Sequence, residues 1–399
     1  MNNLPALLGN NPTFKDKVPF TKPTLPDFQV FVEGLRPIFE SGILTKGEHV
    51  ARLEEMIADE LDVRYAIAVS NCTSGLMLVY RALNLSGEVI VPSFTFIATV
   101  SALVWLGLKP IFVDVDPHTG TLDAASVEAV ITPATSAIVA VHNFGNPAEV
   151  DELERIAGRH NLRLIFDAAH AFGSMYRGRF LSAQGDAHVF SLSPTKLVVA
   201  GEGGVVTTND QLLAETVRIG REYGNCGNYN STFVGLNARM PEINALLAQQ
   251  SLQGLAPAVK YRNEIAGAYR DGLKNLPGIE FQRIRPNDRS AYTMFTITID
   301  ADAFGLTRNE LREALSAENV DTRCYYDPPV HRQSAYMHFA NRDEDLRHTD
   351  LLSATSLCLP MSSNLPRPVV DGICQAIERA HRHAPEIKVR LAADLLALA

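Results

Sequence analysis

Cysteine is scarce and scattered in this chain. Its five cysteines (Cys72, Cys226, Cys324, Cys358 and Cys374) are odd in number, with no CxxC pair and no metal-ligand spacing. This argues against a disulfide framework and a metal module, and fits reduced thiols, mostly small core residues, in a cytosolic protein. Positive charge is also short: 36 Lys and Arg against 45 Asp and Glu leave a formal net charge of −9. That balance opposes nucleic acid and anionic membranes as partners, so an anionic ligand needs a locally built site. There is no internal repeat, no low-complexity linker and no GxxxxGK[ST] phosphate loop. The opening MNNLPALLGNNPTFKDK has no basic segment leading into a long apolar one, so no secretory signal is read and cytoplasm is the expected location.

One stretch, Val89 to Leu108, lacks charge altogether and is about as long as a membrane-spanning helix. Pro92 and the polar Ser93, Thr95, Thr99 and Ser101 interrupt it, and Ile97, Val100 and Val104 recur at helical spacing. A buried strand, turn and helix is therefore expected instead of a membrane span.

A composition of 46% hydrophobic and 20% charged residues over 399 positions describes a soluble globular protein with room for two or three domains, or one large α/β domain and an appendage. Short β-like runs alternate with helical patterns from about residue 65 to 210: YAIAVS (65–70), EVIVP (88–92), PIFVDV (110–115), SAIVAVH (136–142), LRLIF (162–166), AHVFS (187–191) and GVVTT (204–208). Between them Thr73 to Leu83 places Leu76, Val79, Tyr80 and Leu83 on one helical face. Such alternation predicts an α/β fold, a mostly parallel sheet flanked by helices, with ligands gathered at the carboxyl ends of its strands.

Past residue 250 the pattern becomes a long helix, then YTMFTITID (292–300), a helix opened by a Thr307-to-Glu310 capping box, strand-like VDTRCYY (320–326) and a last helix near Val369 to Arg382. Residues 1–250 are thus read as a large α/β domain with an N-terminal arm, and 251–399 as a smaller α+β domain.

Lys196 stands out within SLSPTKLVVAGEGGVVTTND (191–210), among small residues and glycines beside an apolar strand. A desolvated amine loses part of its preference for the protonated form and can condense with an aldehyde. Pyridoxal 5'-phosphate is the aldehyde that proteins use in this way, and its ring nitrogen needs a carboxylate partner. Asp167, at the end of LRLIF in DAAHAFGS (167–174), is the candidate. The glycines of GEGG (201–204) precede a strand instead of joining a strand to a helix, so they do not make a dinucleotide fingerprint.

Taken together, DAAHAFGS, SPTK with GEGG, GLNARM (235–240) and YYDPPVHRQSAY (325–336) resemble the DegT/DnrJ/EryC1/StrS family of pyridoxal-phosphate-dependent sugar aminotransferases, of the aspartate aminotransferase fold type. The resemblance runs from SGILTKGEHV (41–50) to SLCLPMSS (356–363). It implies that Lys196 is the Schiff-base lysine, that Asp167 partners the pyridine nitrogen, and that His170 lies near the cofactor's phenolic oxygen. It further implies phosphate contacts from Thr73, Ser74 and Ser191, stacking by Phe96 with Ala169 on the other ring face, and an Asn237 that reaches the phosphate of the neighbouring subunit in a homodimer. From the residues alone, Phe96 reads as core and Asn237 as a helix N-cap. Cys72 replaces the family's usual Gly, and Leu192 stands where an aromatic is common.

The implied reaction moves an amino group from glutamate or glutamine to a keto group of a nucleotide-linked keto-deoxy sugar. Tyr325, Tyr326 and His331 are candidates for the sugar site, and a proline-rich surface turn is the other reading of that segment. Three other functions fit the same family: amination of a cyclitol ketone, a sugar dehydratase, which would carry histidine in place of Lys196, and a non-catalytic regulatory or binding role.

Overall fold

The computed structural model describes residues 4–182, 184–340 and 345–398. Its strands are β1 (Tyr65–Val69), β2 (Glu88–Pro92), β3 (Lys109–Val113), β4 (Thr135–Val141), β5 (Arg163–Asp167), β6 (Met175–Tyr176), β7 (Arg179–Phe180), β8 (Ala187–Ser191), β9 (Gly204–Thr208), β10 (Ile279–Phe281), β11 (Phe295–Ile299) and β12 (Ser356–Leu359). Seven of them form one sheet in the order β1-β9-β8-β5-β4-β2-β3. Its pairs are parallel except those made by β9, which runs against both β1 and β8. The mixed α/β architecture with a mainly parallel sheet is thus the one expected.

Continuous apolar strands follow from burial on both faces. Phe166 and Phe190 point into one core with Leu53 and Ile57, while their neighbours Ile165 and Val189 point into another with Leu76 and Val79. That is the period-two alternation of a strand. The helices that matter for the site are α1 (Phe28–Ser41), α2 (Glu48–Leu61), α3 (Cys72–Ala82) and α4 (Ile97–Trp105). Gly75 lets α3 lie close on the sheet, since a Cβ there would come within 2.8 Å of Val189. The charge-free stretch folds as β2, a loop and α4. Among the described residues, no helix is long and apolar enough to cross a membrane.

The second sheet, β10-β11-β12, is antiparallel. It packs Phe295 and Ile297 against Tyr269, Leu311, Ile373 and Ile377 from three helices. The capping box is present: Thr307 Oγ1 accepts from the Glu310 N–H, and the Glu310 carboxylate accepts from the Thr307 N–H. Two expectations need correction. VDTRCYY forms no strand but only isolated bridges, Val18 to Val320 and Arg323 to Cys358. Its β-favouring residues are packed instead of laddered, Val320 in the core beside the second sheet, Tyr325 on Phe20 and Tyr326 on Phe94. A further helix, Ala384–Leu398, follows the one expected to be last; Pro385 sits in its first turn, where proline is tolerated.

Candidate active site

The carboxyl ends of β1, β2, β4, β5 and β8 meet at one edge of the large sheet, where a cavity of about 380 Å³ opens. That volume suits a small cofactor. Asn71 after β1 caps α3: its side chain accepts from the Ser74 N–H at 2.8 Å. Helix geometry leaves the N–H groups of Cys72 and Thr73 without an intrahelical acceptor, and the helix dipole adds positive potential at this end. Cys72 and Thr73 line the cavity, whereas Ser74, expected to contact phosphate, does not border it and has its amide held by the cap. Gly204 is required here, because a Cβ would come within 2.6 Å of the Cys72 nitrogen.

Asp167 ends β5, nearly fully buried. Its carboxylate accepts from Thr99 Oγ1 at 2.7 Å and from the Ala169 N–H at 3.0 Å. Burial pushes its pKa up, while these two donors and the positive charge of Lys196 oppose that rise. Lys196 lies in the turn after β8 and lines the same cavity. Desolvation lowers its pKa to about 8, against the opposing pull of the Asp167 carboxylate. About a tenth of the amine is therefore neutral at pH 7 and about half at pH 8, and the neutral form is the one that condenses with an aldehyde. Burial raises the Cys72 thiol well above its ordinary value and keeps it protonated.

His170 also lines the cavity, and its Nδ1 accepts from the Phe144 N–H at 3.3 Å. That bond requires the tautomer with its proton on Nε2. Burial and then Lys196 hold the ring neutral, with a pKa well below the ordinary value. Phe96 is not core: it is 56% exposed and borders the cavity, as does Ala169. Ser191, at the end of β8, lines it too.

Tyr325 and Tyr326 reach the cavity from the far side, beside Phe20 and Met294. Tyr326 packs on Phe94 and Phe144, and its hydroxyl is buried without a partner. His331 lies outside this cavity. Its Nδ1 is 2.7 Å from Ser93 Oγ, and its Nε2 is 3.3 Å from the Asp350 carboxylate. Asn237 is exposed, bridges to Glu222 and does not border the cavity of its own chain. It is not a cap either, since Pro241 occupies the N-cap position of the following helix, with no side-chain cap bond.

Sequence reasoning did not single out Phe20, Met294, Glu202, Thr95, Ser193 or Thr195 as lining residues. Thr95 and Thr99 carried a signal, two hydroxyls one helical turn apart in an apolar run. Phe20 and Met294 carried none, because only the packing of remote segments brings them there.

The model of the DegT/DnrJ/EryC1/StrS aminotransferase family matches residues 29–378. The chain belongs to that family. Among curated relatives, a dTDP-3-amino-3,4,6-trideoxy-alpha-D-glucose transaminase of Streptomyces venezuelae is 35% identical over 351 residues, 86% of this chain and 90% of its own length. A GDP-perosamine synthase of Caulobacter vibrioides is 33% identical over 342 residues, covering 84% and 91%. Of the solved structures, DesI in the presence of its TDP-sugar product superposes with a TM-score of 0.92 at 36% identity, covering 97% of this chain and 98% of DesI. The chain is thus an aminotransferase of the DegT/DnrJ/EryC1/StrS family, and the fold is that of its pyridoxal-phosphate enzymes.

Proposed function

We propose that this aminotransferase binds pyridoxal 5'-phosphate at Lys196 and transfers an amino group from glutamate or glutamine to a keto group of a nucleotide-linked keto-deoxy sugar. The observation that carries this reading is the convergence of a lysine lowered to about 8 and a buried, doubly hydrogen-bonded carboxylate on one cavity. The sugar nucleotides named for the relatives support the substrate class.

The lining fits the cofactor. Thr73, Ser191 and the open N–H groups at the start of α3 would hold its phosphate, Phe96 and Ala169 its two ring faces, Asp167 a proton on the ring nitrogen, and the His170 Nε2–H the phenolic oxygen. When bound, the cofactor supplies an exchangeable aldehyde carbon and a protonated ring that withdraws electrons from the carbon being deprotonated. Lys196 Nζ takes the proton from the substrate carbon and returns it, which requires a pKa near the working pH. Tyr325 and Tyr326 close the cavity opposite and keep water from the reacting carbon.

Charge supports a homodimer with shared sites. Among the described lining residues Lys196 is the sole cation, against Asp167 and Glu202, whereas a cofactor phosphate and a nucleotide diphosphate both bring negative charge. Groups near Asn237 of a second copy would supply the missing donors. Large apolar side chains exposed on α1 and α4, Phe28, Phe39 and Trp105, are suited to burial between copies.

The deciding experiment incubates the holoenzyme with a panel of nucleotide-linked 3-keto and 4-keto deoxy sugars and a cyclitol ketone, with glutamate or glutamine, and follows both 2-oxo acid and amino sugar. Amination of at least one sugar nucleotide is expected. Amination of the cyclitol ketone alone, or of nothing in the panel, would overturn the substrate class.

A further inference from the structure

Asp167 must remain an anion in a place that disfavours one. It is 4% exposed, and burial is the largest influence on its protonation. Lys196 is the cation that acts on it, but a lysine itself lowered to about 8 is a weak and pH-dependent counter-charge. The other ionisable groups acting through space are Cys72 and Tyr80 on α3, and Tyr326. All three are neutral acids whose burial raises their pKa, so none supplies positive charge.

Hydrogen bonds must therefore favour the charged form. Oδ1 accepts from the Ala169 N–H at 3.0 Å and Oδ2 from Thr99 Oγ1 at 2.7 Å. Thr99 has one hydroxyl proton and three acceptors within reach of it: the Asp167 carboxylate, the Phe96 carbonyl and the neutral Thr95 hydroxyl. The Phe96 carbonyl is farther, at 3.1 Å, and neutral, so the carboxylate takes the proton. Having donated, Thr99 Oγ1 can only accept from Thr95 Oγ1, 3.0 Å away. The direction of a two-hydroxyl relay, Thr95 to Thr99 to Asp167, is thereby fixed, and Thr95 and Thr99 are each at most 1% exposed, so water does not compete.

We propose that Thr99 is a positioning residue for transamination, which with Thr95 behind it orients the Asp167 carboxylate and holds it ionised towards the cofactor's ring nitrogen. This rests on the reading of Asp167 given above and adds two residues to it. Because each hydroxyl in the relay polarises the next, losing Thr99 should matter more than losing Thr95.

The test compares the holoenzyme variants Thr99→Val, Thr99→Ser, Thr95→Val and Asp167→Asn. Thr99→Val keeps the shape and removes the donor, so the half-reaction with glutamate should slow about 10- to 100-fold, the cost of one hydrogen bond to a charged group. Its acid limb, and the pH midpoint of the bound cofactor's absorbance, should move to higher pH by about one unit, because the charged carboxylate has lost a donor. Thr99→Ser should restore both to within about threefold, a difference of well under 1.4 kcal/mol. Thr95→Val should shift the limb in the same direction by less. An unchanged rate and limb in Thr99→Val, or a Thr99→Ser variant as impaired as Thr99→Val, overturns the proposal. Should Thr99→Val not fold, as judged by thermal melting without cofactor, an unmoved acid limb in Thr95→Val does so. If Asp167→Asn also reacts at the wild-type rate, the fault lies in the assignment of Asp167 and not in the relay.

Discussion

The two walls of the cavity are built in opposite ways. One wall comes from strand ends of the large sheet: Asn71 to Thr73, Thr95 and Phe96, Asp167, Ala169 and His170, and Ser191 to Lys196. Its key polar groups have fixed partners, such as the Asn71 cap, the Thr99 and Ala169 donors on Asp167 and the Phe144 amide on His170. The other wall is apolar and aromatic, assembled from Phe20, Met294, Tyr325 and Tyr326, and the Tyr326 hydroxyl has no partner. Proton chemistry needs charge held at set positions, which a hydrogen-bonded ladder supplies. Recognition needs shape, which loops can change without disturbing that charge.

If this division is correct, the largest effect belongs to Lys196. Lys196→Ala should reduce transamination by about 10⁴-fold or more, in keeping with the loss of both nucleophile and proton carrier, and should abolish borohydride-dependent retention of the cofactor. A related titration tests the lowered pKa of about 8 in the unmodified chain. Capture of pyridoxal phosphate by the cofactor-free protein should accelerate about tenfold per pH unit below 8 and level off above it, because only the neutral amine attacks.

Asp167→Asn keeps the shape of the polar wall and removes its charge. The half-reaction with glutamate should slow by about two orders of magnitude or more while cofactor still binds. Wild-type half-reaction rates would break the claim that this wall works through charge.

A contribution from a second copy would add a third wall. Asn237→Ala should weaken cofactor binding by about 10- to 100-fold, measured by equilibrium dialysis. Mixing Lys196→Ala with inactive Asn237→Asp should regenerate activity, since one site of each mixed dimer carries both native residues. Sedimentation of the active species as a monomer, or no recovery after confirmed subunit exchange, would remove that wall.

The smallest effect is expected from the aromatic side. Tyr326→Phe should leave the glutamate half-reaction unchanged and raise the sugar KM about 2- to 10-fold if the hydroxyl meets the substrate. Stability should hold or rise by up to about 1 kcal/mol, because a buried hydroxyl without a partner is removed. A slowed glutamate half-reaction would show that the two walls do not divide the work.

Local pattern was enough to determine the seven strands of the large sheet, three of them, 88–92, 187–191 and 204–208, to the residue. It was also enough for the capping box at Thr307 and for the neighbourhood of Lys196 and Asp167, because apolar runs, cap residues and a lysine among glycines are written in consecutive positions. Other outcomes were decided by packing. Phe96 reads as core by spacing but faces the cavity, because it stands just before α4 where the chain leaves the sheet edge. VDTRCYY has the composition of a strand, yet Tyr325 and Tyr326 turn towards Phe20 and Phe94 instead of joining a ladder. Tertiary structure alone placed Phe20 beside Tyr325, turned His331 onto Ser93 and Asp350, and joined Thr99 to Asp167 across 68 positions. Contacts between residues so far apart in the chain depend on how whole elements stack, and no local property of either residue encodes the other.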